Sequence, residues 1–248
     1  SGFTDAGSGI GEYKYAIGTE PGGTQNVYWL SVGTDSTVTN SGLTLISGIT
    51  YYVSVKATDN VGNEGDYVAT NGITIDTQPP SAGTINDGLE EDLDFTVSTN
   101  TLSGNWTGFT DGLSGIAFYE YAIDTIAGGT DLVSWTSTAL DSSFTEDELS
   151  LQNGQSYYIT VRATDAAGNI CDPVSSDGIT VDWEFPVINY IYEGNTTADN
   201  DFQNDTETLI LAWGLVNSAI SVSYYEYTVG LSPGESETVD WTENGTDT

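Results

Sequence analysis

Apolar and polar residues alternate along this chain in short runs separated by Gly, Asn, Asp and Pro. The clearest run places Tyr157, Ile159, Val161 and Ala163 on one face and Tyr158, Thr160, Arg162 and Thr164 on the other. A period of two marks a half-buried strand. Leu151-x-x-Gly154-x-x-Tyr157 leads into this run, and Asp165 followed by a Gly-Asn turn ends it. The same pattern occurs earlier, from Leu45 through Gly48 and Tyr51 to Asp59. No segment sustains a helical period, so the expected class is all-β.

Sliding the sequence on itself brings the two runs together at an offset of 106, as Gly2-Phe3-Thr4-Asp5 meets Gly108-Phe109-Thr110-Asp111. The same offset carries Tyr13 and Tyr15 onto Tyr119 and Tyr121, Trp29 onto Trp135, and Tyr51 onto Tyr157. A third copy follows more loosely, with Tyr225, Tyr227 and Trp241 in register. The expected domains are therefore 1–78, lacking its opening strands, a complete repeat over 79–184, and 185–248, lacking its closing ones. The connections end at Pro80 and Pro186. Proline fixes φ and extends the residue before it, which predicts short, stiff linkers. Starting and stopping in mid-repeat, the sequence reads as a segment of a longer chain.

In the complete repeat the pattern predicts seven strands: 81–87, 95–109 with Trp106 inward, 116–124, 133–138, 143–151, 157–164 and 178–182. Ile116, Tyr119, Tyr121 and Ile123 form the expected buried set of the third. Seven short strands in about 100 residues, with turns between them, read as an antiparallel β-sandwich.

Composition narrows the function. Three Lys and Arg stand against 37 Asp and Glu, a formal charge of -34, and His is absent. Phosphate binding runs on Lys and Arg, so this balance repels nucleic acid and anionic membrane surfaces, and no apolar run approaches the ~18 residues that direct membrane insertion of this segment would need. Without His, the common catalytic triads and imidazole metal sites are unavailable. Close carboxylate pairs arise by chance among so many acids, and no catalytic residue is expected. Cys171 is the only cysteine and aligns with Gly65, so it reads as an incidental free thiol.

At Trp106, Tyr119-Glu120-Tyr121 and the Leu151-Gly154-Tyr157 corner, the repeat resembles a fibronectin type III module, an Ig-like sandwich. The resemblance implies that Tyr51 and Tyr157 place their rings in the core and bond backbone upstream through their hydroxyls. The strings FTDxxSGI, YxYAI, GGT and ATDxxGN resemble variants found in tandem in large secreted or surface-anchored proteins, bacterial adhesins among them. That implies a tandem, extended array of seven-stranded sandwiches. Its expected function is a non-catalytic structural or adhesive stalk, extracellular or on the cell surface. The alternative is an accessory spacer or carbohydrate-binding array of a secreted hydrolase. No Arg-Gly-Asp occurs, and the third copy replaces FTDGLSGI with LVNSAISV over 215–222.

The type III topology gathers Asp76, Asp111 and Asp165 at the first junction, where oxygen ligands could hold calcium, the one candidate cofactor. The competing explanation is that Asp5 and Asp111 cap turns while Asp59 and Asp165 make Asx-turns to their own backbone, which needs no ion. The run Asp87 to Asp94 reads as a solvated acidic turn. Phe118, Tyr158 and Trp183 point outward and suit an extracellular glycan, a protein, or a neighbouring repeat of the same chain.

Overall fold

A computed structural model describes residues 2–195, 198–199, 202–203, 207–215, 222–236 and 238–245. These residues contain strands and turns and no helix. The first copy holds β1 (Ile10–Gly18), β2 (Val27–Ser31), β3 (Thr50–Asp59), β4 (Val68–Ala69) and β5 (Ile73–Thr74). They form a single sheet in the order β2-β1-β3-β4, with β5 also on β3.

The second copy holds β6 (Thr84–Asp87), β7 (Phe95–Thr96), β8 (Leu102–Thr107), β9 (Ile116–Asp124), β10 (Val133–Ala139), β11 (Ser143–Glu146), β12 (Ser156–Asp165), β13 (Val174–Ser175) and β14 (Ile179–Val181). One sheet runs β11-β8-β6 and the other β10-β9-β12-β14-β7, with β13 also on β12. The two sheets face each other across a core of Ile85, Leu102, Trp106, Tyr121, Ile123, Phe144, Tyr157, Ile159, Val161 and Val181. This is a type III-like sandwich, and its alternation is the one the sequence shows. Every inward residue of β12, from Tyr157 to Ala163, is buried.

The third copy holds β15 (Ile188–Asn195), β16 (Ala198–Asp199), β17 (Leu211–Leu215), β18 (Glu226–Val229) and β19 (Val239–Glu243). It pairs as β16-β15-β17 and β18-β19. Trp213 is buried against Tyr225 and Tyr227. The centre of the altered third-copy loop, 216–221, lies outside the described residues.

The two sheets can meet at β8 because Gly104 has no side chain. A Cβ there would lie 2.7 Å from Ile159 Cδ1 and 2.9 Å from Phe144 Cε1. Trp106 lies next to it, 2% exposed, edge-on to Tyr119 at 5.7 Å. The corner is built as the resemblance implies. Tyr157 Oη accepts the Gln152 amide at 2.9 Å, and Tyr51 Oη accepts the Ile46 amide at 3.1 Å. Gly154 turns at φ 76°, where a side chain is strained, and donates its amide to the Val181 carbonyl at 2.7 Å. Leu151 is buried beside it and donates its amide to the Thr99 carbonyl at 3.1 Å.

Several expected elements differ. The run 95–109 is two strands: β8 lies in one sheet, while β7 crosses to the other and pairs in parallel with β14. The closing strand, β14, lies within the expected 178–182, but an unexpected strand, β13, precedes it across a break at Ser176-Asp177-Gly178 and meets a different part of β12. Thr160 and Thr164, on the outward face of β12, are buried. The Thr160 hydroxyl bonds Ser175 Oγ at 2.8 Å and accepts the Gly128 amide at 3.1 Å, so the edge turn covers it. Cys171 is 3% exposed and its Sγ accepts the Ala163 amide at 3.1 Å, so it is a core residue and not a surface thiol. In the first copy, 37–40 aligns with β11 but forms no strand, because the partner equivalent to β8 is not in the sequence. Val38 is accordingly 49% exposed where Phe144 is 8% exposed.

Candidate functional site

The first junction is built from three Asx-turns. Asp111 follows β8, and its Oδ1 accepts the amides of Leu113 at 3.1 Å and Gly115 at 2.6 Å. Asp165 ends β12, and its Oδ1 accepts those of Ala167 at 2.9 Å and Asn169 at 2.8 Å. Asp76, in the linker, accepts the Gln78 amide at 3.0 Å through Oδ1. A short acceptor two residues before a free amide makes this turn without any ion.

The three turns then meet. Asp76, Asp111 and Asp165 each bring a carboxylate oxygen within 4.8 Å of the others. Asp76 Oδ2 accepts the Ser114 amide of the second copy at 3.1 Å. Asn169 Nδ2 donates to the Asp76 carbonyl at 3.2 Å and to Asp165 Oδ2 at 2.8 Å. The linker is thereby hydrogen-bonded to two loops of the sandwich that follows it. Burial raises the Asp165 carboxyl, but the Asn169 side chain and the amides of Asn169, Ala167 and Gly168 outweigh it, so its pKa lies below the ordinary value. It therefore stays charged at neutral pH.

The other sequence candidates are structural. Trp106, Leu151, Gly154, Tyr157 and Tyr51 belong to the core or its corner. Phe118 and Tyr158 share a sheet face, yet in register they lie opposite Thr164 and Asp124, at the two ends of the β9–β12 pair. They form no common patch. Between them Arg162 stacks on Trp135 at 4.1 Å and pairs with Glu120 at 2.8 Å. Lys56 repeats the arrangement on Trp29 at 4.3 Å and pairs with Glu64 at 2.6 Å. This cation–aromatic pair was missed in the sequence although its signal was present: both partners recur at the offset of 106.

No protein-family model matches the chain. It is 36% identical over 149 residues to chitinase A1 of Niallia circulans, a stretch covering 55% of this chain and 18% of that protein. Among solved structures it is similar to the chicken CNTN1 FN1-FN3 domains, with a TM-score of 0.35 and 18% identity, covering 68% of this chain and 56% of that one. It is also similar to the Clostridium thermocellum CbhA fibronectin(III)-like modules, with a TM-score of 0.35 and 12% identity, covering 73% and 82%.

Proposed function

We propose that this chain is a non-catalytic spacing segment of a secreted or cell-surface protein, a stalk that holds a binding region away from its anchor. The observation that carries this reading is the junction, where Asp76 and Asn169 tie the linker to the next sandwich. A tied linker transmits orientation between domains, which a Gly/Ser tether does not. Each domain adds about 35 Å, at ~3.3 Å per strand residue plus loops. The 37 acids and three bases keep such a surface solvated.

A second reading, an accessory array of a secreted polysaccharide hydrolase, is supported by the 36% identity with part of a chitinase. Calcium is proposed at the junction only as reinforcement of a clamp that hydrogen bonds already close.

Small-angle scattering on residues 1–248 tests the spacer. The wild type should fit one relative orientation of the first two copies, and Asp76→Ala should require a broad ensemble. Equal breadth in both would remove the basis for a stalk. Retention on insoluble chitin would favour the hydrolase accessory. Melting in calcium and in chelator, done in an Asp177→Asn background, tests the junction ion: a calcium-dependent rise abolished by adding Asp111→Asn supports it, and a rise that survives that change, or no rise at all, refutes it.

A further inference from the structure

A second acidic cluster lies away from the junction, where the end of β6 passes the break between β13 and β14. Asp87 closes β6, Asp92 follows in the turn toward β7, and Asp177 sits in the break. Each brings a carboxylate oxygen within 4.8 Å of the other two. Asp92 and Asp177 are exposed, as are all residues from Leu89 to Asp94, but Asp87 is 0% exposed, which corrects the expectation of a solvated turn at its first residue.

The bonding of Asp87 is incomplete. Its Oδ2 accepts the Gly178 amide at 3.1 Å, while its Oδ1 is buried and has no hydrogen-bond partner. A buried carboxylate oxygen without a donor is costly, and native structures rarely leave one so. Nor does any protein cation come near. The chain's three bases pair elsewhere: Lys14 with Glu12 and Glu64, Lys56 with Glu64, and Arg162 with Glu120.

We propose that Asp87, Asp92 and Asp177 bind calcium and so fasten the first strand of the second sandwich to its broken last strand. Three hard oxygen donors suit this ion. Two oxygens bound to one calcium at about 2.4 Å lie no more than ~4.8 Å apart, a limit that each pair of these carboxylates meets. Backbone carbonyls and water complete its shell. Asp92 is held in place because its Oδ1 accepts the Asp87 amide at 2.8 Å. Burial, with the charges of Asp92 and Asp177, pushes the Asp87 carboxyl up to about 6. A divalent cation would reverse that penalty. The first copy has Asn71 where the second has Asp177, so the site belongs to the second copy.

Terbium luminescence on the whole chain tests the proposal. The Tyr158 ring packs beside Gly178 and serves as sensitiser. The wild type should show a saturable signal that calcium displaces and magnesium displaces poorly. Asp87→Asn and Asp177→Asn should each weaken the calcium displacement at least tenfold, and Asp111→Asn should leave it intact. Because Asp177 is exposed, its variant carries the test if Asp87→Asn misfolds. A calcium-displaceable signal that survives Asp177→Asn, one lost only in Asp111→Asn, or no such signal at all would overturn the site.

Discussion

Asp76 Oδ2 accepts the backbone amide of Ser114 at 3.1 Å, and this bond crosses from the linker into the second sandwich. A charged acceptor makes a stronger bond than a neutral one. Its loss should therefore show locally, with little effect on global stability. In Asp76→Ala the Ser114 amide should exchange with deuterium about tenfold faster or more, as expected for a bond of about 1.5–3 kcal/mol. The Ile159 amide, bonded to Ser176 Oγ in the buried sheet, should stay protected. Unchanged exchange at Ser114 would show that the linker is held by something else.

The tyrosine corner predicts a matched pair of effects. Tyr157→Phe keeps the buried ring and removes only the acceptor of the Gln152 amide. It should cost about 1 kcal/mol, lowering the melting temperature of the second copy by roughly 4–8 °C. Tyr51→Phe removes the same bond to the Ile46 amide in the first copy. Urea unfolding followed by tryptophan fluorescence would measure both. Tyr157→Ala should cost about 3–5 kcal/mol, since the ring leaves a cavity in the core.

Gly104 sets the distance between the sheets. In Gly104→Ala the new methyl would press on Ile159 and Phe144. Two well-packed neighbours must move, and overpacking of this kind costs about 1–3 kcal/mol. Gly112 has open space around it, so Gly112→Ala serves as the control and should change stability by less than about 0.5 kcal/mol. Equal melting temperatures for the two variants would show that the sheets separate freely.

How much of this was legible in the sequence depended on how local the cause was. Strand β9 matches its predicted span, 116–124, because its alternation is long and its neighbours are regular. The corner was legible because Leu151, Gly154 and Tyr157 act within seven residues. The gathering of Asp76, Asp111 and Asp165 followed from the topology that the repeat suggested. Two-residue strands such as β7 and β13 were not legible, since only their partners define them. The burial of Asp87 was hidden for a similar reason: Gly178, whose amide bonds its Oδ2, is 91 residues away. Within DGLEEDLD one aspartate is enclosed by the fold and the others are left in water, and nothing in the run distinguishes them.

One hairpin should respond to acid in the second copy and not in the first. Asp124 accepts the amides of Thr125 at 2.6 Å and Asp131 at 2.7 Å, closing the turn between β9 and β10. The Asp131 amide is the largest influence on its carboxyl and, with Thr125, lowers its pKa below 3.8 against the opposing effect of burial. The unfolded chain, with the ordinary pKa, takes up a proton before the folded one does. The contribution of Asp124 is therefore complete above about pH 4 and is lost as pH falls through the lower folded value. In the first copy Gly18 and Gln25 occupy the corresponding positions, and Gln25 Oε1 accepts the Thr19 amide at 3.3 Å. An amide does not titrate in this range. Hydrogen exchange between pH 6 and 2.5, corrected for intrinsic rates, should show the Asp131 amide losing protection in acid while Thr19 holds its own. Asp124→Ala should already expose the Asp131 amide at pH 6, at a cost of about 1–2 kcal/mol, and should flatten the pH profile. Parallel loss of protection in both hairpins would instead point to general acid unfolding.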